Sequence, residues 1–248
     1  ILKINTKILS LVKIKELQNS PIGVFDSGLG GLTVLKSLEK ILPNESFIYF
    51  GDTAHVPYGT KSADTVIKYS KNILDFFSQQ HTKAVVIACN TASSVAYHAL
   101  QKNYSIPLFD VVSPSVEFAI QESKTKNIGV IGTITTVSSK AYSQQFADKN
   151  AGFFVHEISC PLFVPIIEEG WADSSIAKDI AKIYLHDFTN SDIDTLILGC
   201  THYPIMANTI QTLLSNKIQL VYSGETVGYK LEAYLKKKNC VNSSDVSS

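Results

Sequence analysis

Two cysteines of this chain stand at the ends of closely similar apolar segments. Cys89 ends the segment AVVIAC and Cys200 ends the segment TLILGC. Each run of β-favouring residues predicts a buried strand, so each thiol is expected where a strand gives way to a loop. Two thiols on opposite sides of a small molecule can invert a stereocentre, because one thiolate removes a proton from carbon while the other thiol delivers a proton to the opposite face. Enantiomers have equal free energy, so each cysteine must serve as base in one direction and as acid in the other.

Polar residues are expected around both thiols. A free thiol has a pKa of about 8.5, so each thiolate needs help from neighbouring groups. Asp26 and His202 are the candidates best placed to shuttle or bias a proton on the two sides. A lone cysteine is usually a buried, inert thiol, but packing alone does not require a polar sequence after both strands. The other residues expected at the strand ends are Ser27, Tyr58, Gly59, Asn90, Thr91, Thr133, Thr136 and Thr201.

The glycine-rich segment FDSGLGG follows the first predicted strand and opens a helix near Leu32. Its exposed backbone N–H groups at a helix amino end could favour a bound anion. A dinucleotide site needs a third glycine near position 33, where this chain has Thr33, and Asp26 would repel a pyrophosphate. An alternative for Asp26 is a loop acid that caps the following turn.

The elements that must position these residues are predicted to form two similar units. The segments IGVFDSGLGGLTV and IGVIGTITTVSS begin at Ile22 and Ile128, separated by nearly the interval that separates the two cysteines. Two pairs of similar segments at one offset indicate a duplicated α/β unit. We therefore expect an α/β fold of two similar domains with mostly parallel sheets, related by an approximate two-fold axis, with the active site in the cleft between them.

The predicted elements alternate between strands and helices. An amphipathic helix is predicted over 61–80 and a final helix over the segment GETVGYKLEAYLKKKN. Residues 1–20 are expected to be an N-terminal extension, 21–114 with 223–248 the first domain, and 115–222 the second, with crossings near Pro114 and Tyr222. The predicted strands are 22–26, 46–51, 84–88, 107–111, 128–132, 153–158, 195–199 and 218–222.

The composition excludes several classes of protein. All 22 basic residues are lysines and are balanced by 22 acidic residues, so no basic surface for nucleic acid is indicated. Without arginine, an anionic substrate must be held by lysine, hydroxyl, amide or backbone N–H groups. The four cysteines form no CxxC pair, which argues against a disulfide framework or a structural metal site and favours a cytoplasmic setting. No apolar run approaches the roughly 18 residues that a membrane span needs. The first twenty residues lack the continuous apolar stretch and small-residue cleavage site of a secretory signal, so none is expected there.

Five segments, in this order, resemble the signatures of the cofactor-independent glutamate racemases: FDSGLGG, GDTAHVPYG, CNTAS, PLFVPIIEEG and GCTHYP. The resemblance implies interconversion of L- and D-glutamate without a cofactor or metal, supply of D-glutamate for peptidoglycan, and a homodimer. It implies that Cys89 acts on D-glutamate and Cys200 on L-glutamate, with Asp26, Glu168 and His202 assisting. It also implies substrate contacts for the set Asp26, Ser27, Tyr58, Gly59, Asn90, Thr91, Thr133, Thr136, Thr201 and His202.

Three other functions fit parts of the pattern. An aspartate racemase, or another member of the same two-cysteine superfamily, is the nearest, although similar aspartate enzymes carry an acid at the position of His202. A two-lobed binding protein for a small ligand would share the alternating elements but would not need paired thiols. A cysteine hydrolase using Cys200 and His202 would leave Cys89 without a role.

Overall fold

The chain folds into two four-stranded parallel sheets, each covered by helices. The structure is a computed structural model that describes residue 15 and residues 17–149, 152–214 and 216–242. The first sheet has the order β2-β1-β3-β4 and the second has the order β6-β5-β7-β8. The strands of the first sheet are β1 (Ile22–Asp26), β2 (Phe47–Gly51), β3 (Ala84–Ile87) and β4 (Leu108–Asp110). Those of the second are β5 (Asn127–Gly132), β6 (Phe154–Ser159), β7 (Thr195–Gly199) and β8 (Gln219–Tyr222).

Helices follow the strands, as the alternating sequence pattern predicted. The predicted strands agree with the observed ones to within one residue at each end, and the predicted α/β fold is confirmed. The helix predicted over 61–80 begins at Ala63, because the Ser62 hydroxyl caps it by accepting the N–H of Thr65. The helices are α1 (Leu32–Ile41), α2 (Ala63–Gln79), α3 (Asn90–Leu100), α4 (Val112–Glu122), α5 (Ile134–Ser138), α6 (Ala141–Asp148), α7 (Phe163–Glu168), α8 (Ser175–Thr189), α9 (Ala207–Leu213) and α10 (Ser223–Lys238).

Each sheet is buried on both faces, which explains why its central strands are almost uninterrupted apolar runs. Alternate side chains of β1 enter different cores: Val24 packs with residues of α1 and α10, whereas Phe25 packs with residues of α2 and α3. In the second sheet Val130 and Ile131 divide in the same way between the α4–α6 side and the α7–α8 side. Cys160 is fully buried in the cluster on the α7–α8 side.

The chain passes between the sheets at two helices rather than at flexible linkers. Pro114 lies in the first turn of α4, where a missing N–H is tolerated, and Val116 of this helix packs in the core of the second sheet. After β8, α10 begins at Ser223 and packs on α1, with Gly224 against Val34. The division into domains at residues 114 and 223 stays a prediction, and the expected extension over 1–20 lies mostly outside the described residues.

The identical strand orders create the same crevice in both sheets. We call residues 22–110 the first half and residues 127–222 the second half. In the first half the chain leaves β1 toward β2 on one side and returns to β3 on the other, which opens a crevice at the carboxyl ends of β1 and β3. Asp26 ends β1 and Cys89 follows β3, while Thr133 follows β5 and Cys200 follows β7. The two thiols therefore occupy matching positions in the two sheets.

Candidate active site

A cavity of about 200 Å3 lies where the carboxyl ends of the two sheets meet, and both Cys89 and Cys200 line it. Its walls come from the loops that follow β1, β2 and β3 in the first half and β5, β6 and β7 in the second. Asp26 and Thr136 are not among the residues that line it. The catalytic roles and substrate contacts expected of all the site residues stay predictions. The other predicted residues that line it are Ser27, Tyr58, Gly59, Asn90, Thr91, Thr133, Glu168, Thr201 and His202.

Cys89 is held at the amino end of α3. Its Sγ accepts the N–H of Ala92 at 3.5 Å, as an N-cap side chain does, and donates to Ser27 Oγ at 3.5 Å. The residue is only 5% exposed. Burial and the nearby Asp26 raise the pKa of the Cys89 thiol, and the Ser27 and Ala92 contacts lower it, so that the pKa lies at about 11. The group is therefore a neutral thiol at neutral pH, with donors already in place for a thiolate.

Asp26 is a fully buried carboxyl group that connects the two halves. Its Oδ2 accepts the N–H of Gly28 at 2.9 Å, and its Oδ1 accepts the hydroxyl of Thr201 at 3.4 Å. Burial raises the pKa of Asp26, opposed by the N–H groups of Gly28 and Gly31, by the charge of His202 and by Thr201. Burial therefore favours the protonated form of the Asp26 carboxyl group, while its hydrogen-bond donors favour the carboxylate.

Cys200 is paired with an imidazole that is itself held by a carboxylate. Cys200 Sγ lies 3.9 Å from His202 Nδ1, and His202 Nε2 lies 3.0 Å from Glu168 Oε1. When Nε2–H donates to Glu168, Nδ1 is left as an acceptor facing the thiol. Burial raises the pKa of Cys200, opposed mainly by the backbone N–H of His202. The Glu168 side chain is 52% exposed, whereas that of His202 is 9% exposed, so the carboxylate lies at the rim and the imidazole inside.

Three threonine hydroxyls form a closed triangle at the junction of the two halves. Thr91 Oγ1 lies 2.9 Å from Thr133 Oγ1 and 3.2 Å from Thr136 Oγ1, and the last two oxygens are 2.9 Å apart. Thr91 is in the first turn of α3, and Thr133 caps α5. Because a hydroxyl can donate or accept by rotating, this triangle can reorient to face an anion.

Asn90 is fixed by two partners from other parts of the chain. Its Nδ2 donates to Tyr142 OH at 2.9 Å and to Ser223 Oγ at 3.1 Å. Ser223 Oγ in turn donates to the carbonyl of Leu198 at 3.3 Å, so it must accept from the amide, which defines the orientation of the Asn90 side chain. The start of α3, directly after Cys89, is thereby tied to the second half and to α10.

Tyr58 lines the cavity, and its hydroxyl is already bound within the first half. Tyr58 OH donates to Asp52 Oδ2 at 2.5 Å, and Asp52 also contacts His55 Nδ1 at 2.8 Å. Burial and the Asp52 carboxylate raise the pKa of Tyr58, so its hydroxyl stays protonated. The phenol of Tyr58 is therefore held in place by Asp52 and is not a titrating group of the cavity.

The sequence did not single out the apolar part of the cavity wall. It is contributed by Val56, Pro57, Ile134, Pro161, Val164 and Pro165. Residues such as these carry no chemical signal of their own, although five of the six lie in GDTAHVPYG and PLFVPIIEEG, two of the segments that carry the family resemblance. None of the described residues lining the cavity is a lysine. Across the described ranges, no group of His, Cys, Asp or Glu is arranged to hold a metal ion, and no helix combines the length and apolar character that crossing a membrane requires.

Comparison with known proteins gives one consistent result. Residues 22–227 match the family model described as Asp/Glu/Hydantoin racemase. The chain is 44% identical over 226 residues to a glutamate racemase of Thermoanaerobacter pseudethanolicus, covering 91% of this chain and 84% of the relative. It superposes with a TM-score of 0.89 on a glutamate racemase isoform of Bacillus anthracis, at 36% identity, covering 92% of this chain and 85% of that one.

A second similar solved structure is a complex with D-glutamate. The glutamate racemase of Francisella tularensis in complex with D-glutamate superposes with a TM-score of 0.86 at 41% identity, covering 92% of this chain and 85% of that chain. An aspartate racemase of Picrophilus torridus, at 16% identity and a TM-score of 0.65, shares the fold. The predicted enzyme class, an isomerase, is confirmed by these relatives. The chain belongs to the Asp/Glu/Hydantoin racemase family.

Proposed function

We propose that this chain interconverts L- and D-glutamate by a two-thiol mechanism that needs no cofactor. The observation that carries the proposal is the presence of Cys89 and Cys200 in the walls of one cavity, each after the equivalent strand of its sheet. The identity of the relatives supports glutamate as the substrate, and the D-glutamate complex of one of them supports binding of the amino acid itself.

In the L to D direction, Cys200 removes the α-proton and Cys89 supplies a proton to the opposite face. His202 Nδ1 first takes the proton of Cys200, and Glu168 stabilises the imidazolium that forms. The α-proton then passes from carbon to the Cys200 thiolate, and the Cys89 S–H bond breaks as the new C–H bond forms. In the D to L direction the two cysteines exchange roles, with Asp26 as the group that accepts or returns the proton on the Cys89 side.

The substrate's charges are met by neutral donors and helix ends. The amino end of α3 begins at Asn90, so its N–H groups carry the positive end of the helix dipole beside the cavity. The hydroxyls of Ser27, Thr91 and Thr133 can donate to carboxylate oxygens. Glu168 would repel a carboxylate placed at its end of the cavity, so the distal carboxylate of the substrate belongs near the threonine triangle.

The proposal extends to the use of the product, the compartment and the oligomeric state. We propose that the D-glutamate formed is used for peptidoglycan, that the protein acts in the cytoplasm, and that it works as a homodimer without nucleic-acid or membrane partners. All four cysteines are free thiols, which suits a reducing compartment.

Incubation with each glutamate enantiomer in D2O, without added cofactor, tests the proposal. We expect deuterium at the α-carbon together with loss of optical purity from either side. Cys89→Ser and Cys200→Ser should each reduce the racemisation rate by at least about 100-fold, because a serine hydroxyl is a far weaker acid than a thiol. Cys160→Ser, which changes a buried thiol that does not line the cavity, serves as the matched control.

Parallel assays with L- and D-aspartate decide between the two substrate classes. A higher kcat/KM for aspartate would replace glutamate in the proposal. A single cysteine variant that racemises glutamate at the rate of the unchanged protein would refute the two-thiol mechanism.

A further inference from the structure

Two threonine hydroxyls outside the cavity wall hold the loops of the opposite half. Thr33 Oγ1, in the first turn of α1, donates to the carbonyl of Thr201 at 2.7 Å. Thr135 Oγ1, in α5, donates to the carbonyls of Gly59 at 3.0 Å and Lys61 at 2.9 Å. Both threonines are half-buried, and neither lines the cavity. The two contacts therefore run in opposite directions: each half positions a loop that belongs to the other.

The Thr33 contact acts on the loop that carries one thiol and its base. Thr201 lies between Cys200 and His202, so its carbonyl belongs to the same short backbone segment. The hydroxyl proton of Thr33 is shared with the carbonyl of Gly30 at 3.0 Å, which keeps the donor aimed from the start of the helix. Since Thr201 also donates to Asp26, both its backbone and its side chain are anchored to the first half. Any shift of this loop would move Sγ of Cys200 and the imidazole together.

The Thr135 contact acts on the turn that forms the opposite wall. One of the carbonyls it binds, that of Gly59, lies within the Tyr58–Thr60 turn, and the other, that of Lys61, follows the turn directly. Gly59 also lines the cavity. The turn is pressed against the second half: a Cβ on Gly59 would lie 2.7 Å from Cβ of Thr133. None of the reacting thiols belongs to this turn. A displacement here would change how the substrate is held rather than how a proton is transferred.

We propose that Thr33 and Thr135 are positioning residues with separate kinetic roles, Thr33 for the Cys200 loop and Thr135 for the substrate-holding turn. The inference rests on the proposed racemisation. Thr33 acts on a group that matters in the transition state, so its loss lowers kcat. Thr135 acts on groups that hold substrate and transition state alike, so its loss raises KM with little change in kcat.

Steady-state kinetics of valine and serine variants test the proposal. Valine keeps the β-branched shape and removes the hydroxyl, while serine keeps the hydroxyl. A hydrogen bond to a carbonyl contributes about 1 kcal/mol, so we expect about a 5-fold fall in kcat for Thr33→Val and about a 5-fold rise in KM for Thr135→Val. Thr33→Ser and Thr135→Ser should restore the respective constant. Thr212→Val is the control, because its hydroxyl donates at 2.8 Å to Thr209 within the second half.

The outcomes separate this inference from the proposed function. Absence of racemisation by the unchanged protein would discard the function itself. The positioning roles would be overturned if the unchanged protein is active and the valine variants have the same kcat and KM as it has. They would also be overturned if the serine variants change these constants as much as the valine variants do. Equal changes in kcat and KM for both valine variants would also overturn them. Thermal unfolding of each variant is recorded alongside, and alanine replaces valine at a position where valine prevents folding.

Discussion

Gly30→Ala is expected to reduce activity strongly by displacing the base His202, although it removes no reacting group. A Cβ at this position would overlap the imidazole of His202 and the hydroxyl of Thr201, across the junction of the two halves. Carbon atoms pack at about 3.5–4.0 Å, so the second-half loop must recede by about 1 Å. A misplacement of that size can cost about 100-fold in rate, or about 2.7 kcal/mol of transition-state stabilisation. The effect should appear in kcat for both enantiomers, measured by circular dichroism.

Gly28→Ala provides the matched control in the same loop. A Cβ there would meet only Cγ2 of Val56, at 3.3 Å, and this partly exposed side chain can yield by a few tenths of an ångström. We expect Gly28→Ala to keep kcat within about 3-fold, since no backbone or catalytic group has to move. The reasoning would be refuted if Gly30→Ala, folded and with an unchanged unfolding midpoint, racemised glutamate as fast as Gly28→Ala.

Three further predictions concern buried charge, acid stability and the His202 partner. Lys83→Met should lower the free energy of unfolding, measured by urea denaturation, by about 3–5 kcal/mol, because it leaves the buried Glu45 without its ion-pair partner. Lys71→Met, which removes an exposed ion pair with Asp75, should lower it by less than about 1 kcal/mol. Burial alone would raise the pKa of Asp194, but Ser123 and two backbone N–H groups lower it to about 2. The lowered pKa contributes at most about 2 kcal/mol to the free energy of unfolding, and this contribution is present above about pH 4 and lost toward pH 2. Asp194→Asn should therefore destabilise the protein at pH 7 and not at pH 2. Glu168→Gln should lower kcat by about 10-fold and the exposed Glu169→Gln should not, as measured at saturating L-glutamate.

The sequence predicted the sheets and the two thiols because both leave strong local signals. Buried parallel strands are short, continuous apolar runs, and their carboxyl ends must gather polar residues at one edge. The matched segments around Cys89 and Cys200 therefore predict a shared cavity from the sequence alone. His202 could be selected because it lies two residues beyond a candidate thiol, and the structure brings its Nδ1 to 3.9 Å from that sulfur.

The remaining features depend on how the two halves meet, which local patterns do not encode. Glu168 was implied only by the family resemblance, since one acid in IIEEG reads as an exposed helix residue. In the sequence Thr33 is notable only because it breaks a dinucleotide-binding pattern. Its hydroxyl nevertheless donates to the carbonyl of Thr201, 168 positions away. Lys83 is almost completely buried with Glu45 and donates to the carbonyls of Gln18 and Cys240, although lysine and glutamate are ordinarily surface residues.

The position of Cys89 as the N-cap of α3 has a consequence for thermal tolerance. Serine is among the residues that cap helices best, whereas a thiol is a weak acceptor at 3.5 Å from the N–H of Ala92. Cys89→Ser should therefore raise the unfolding temperature while abolishing turnover. Cys200→Ser should abolish turnover without raising the unfolding temperature, because Cys200 caps no long helix. A sulfur at the start of this helix therefore lowers the stability of the fold and supplies the reactive thiol in exchange.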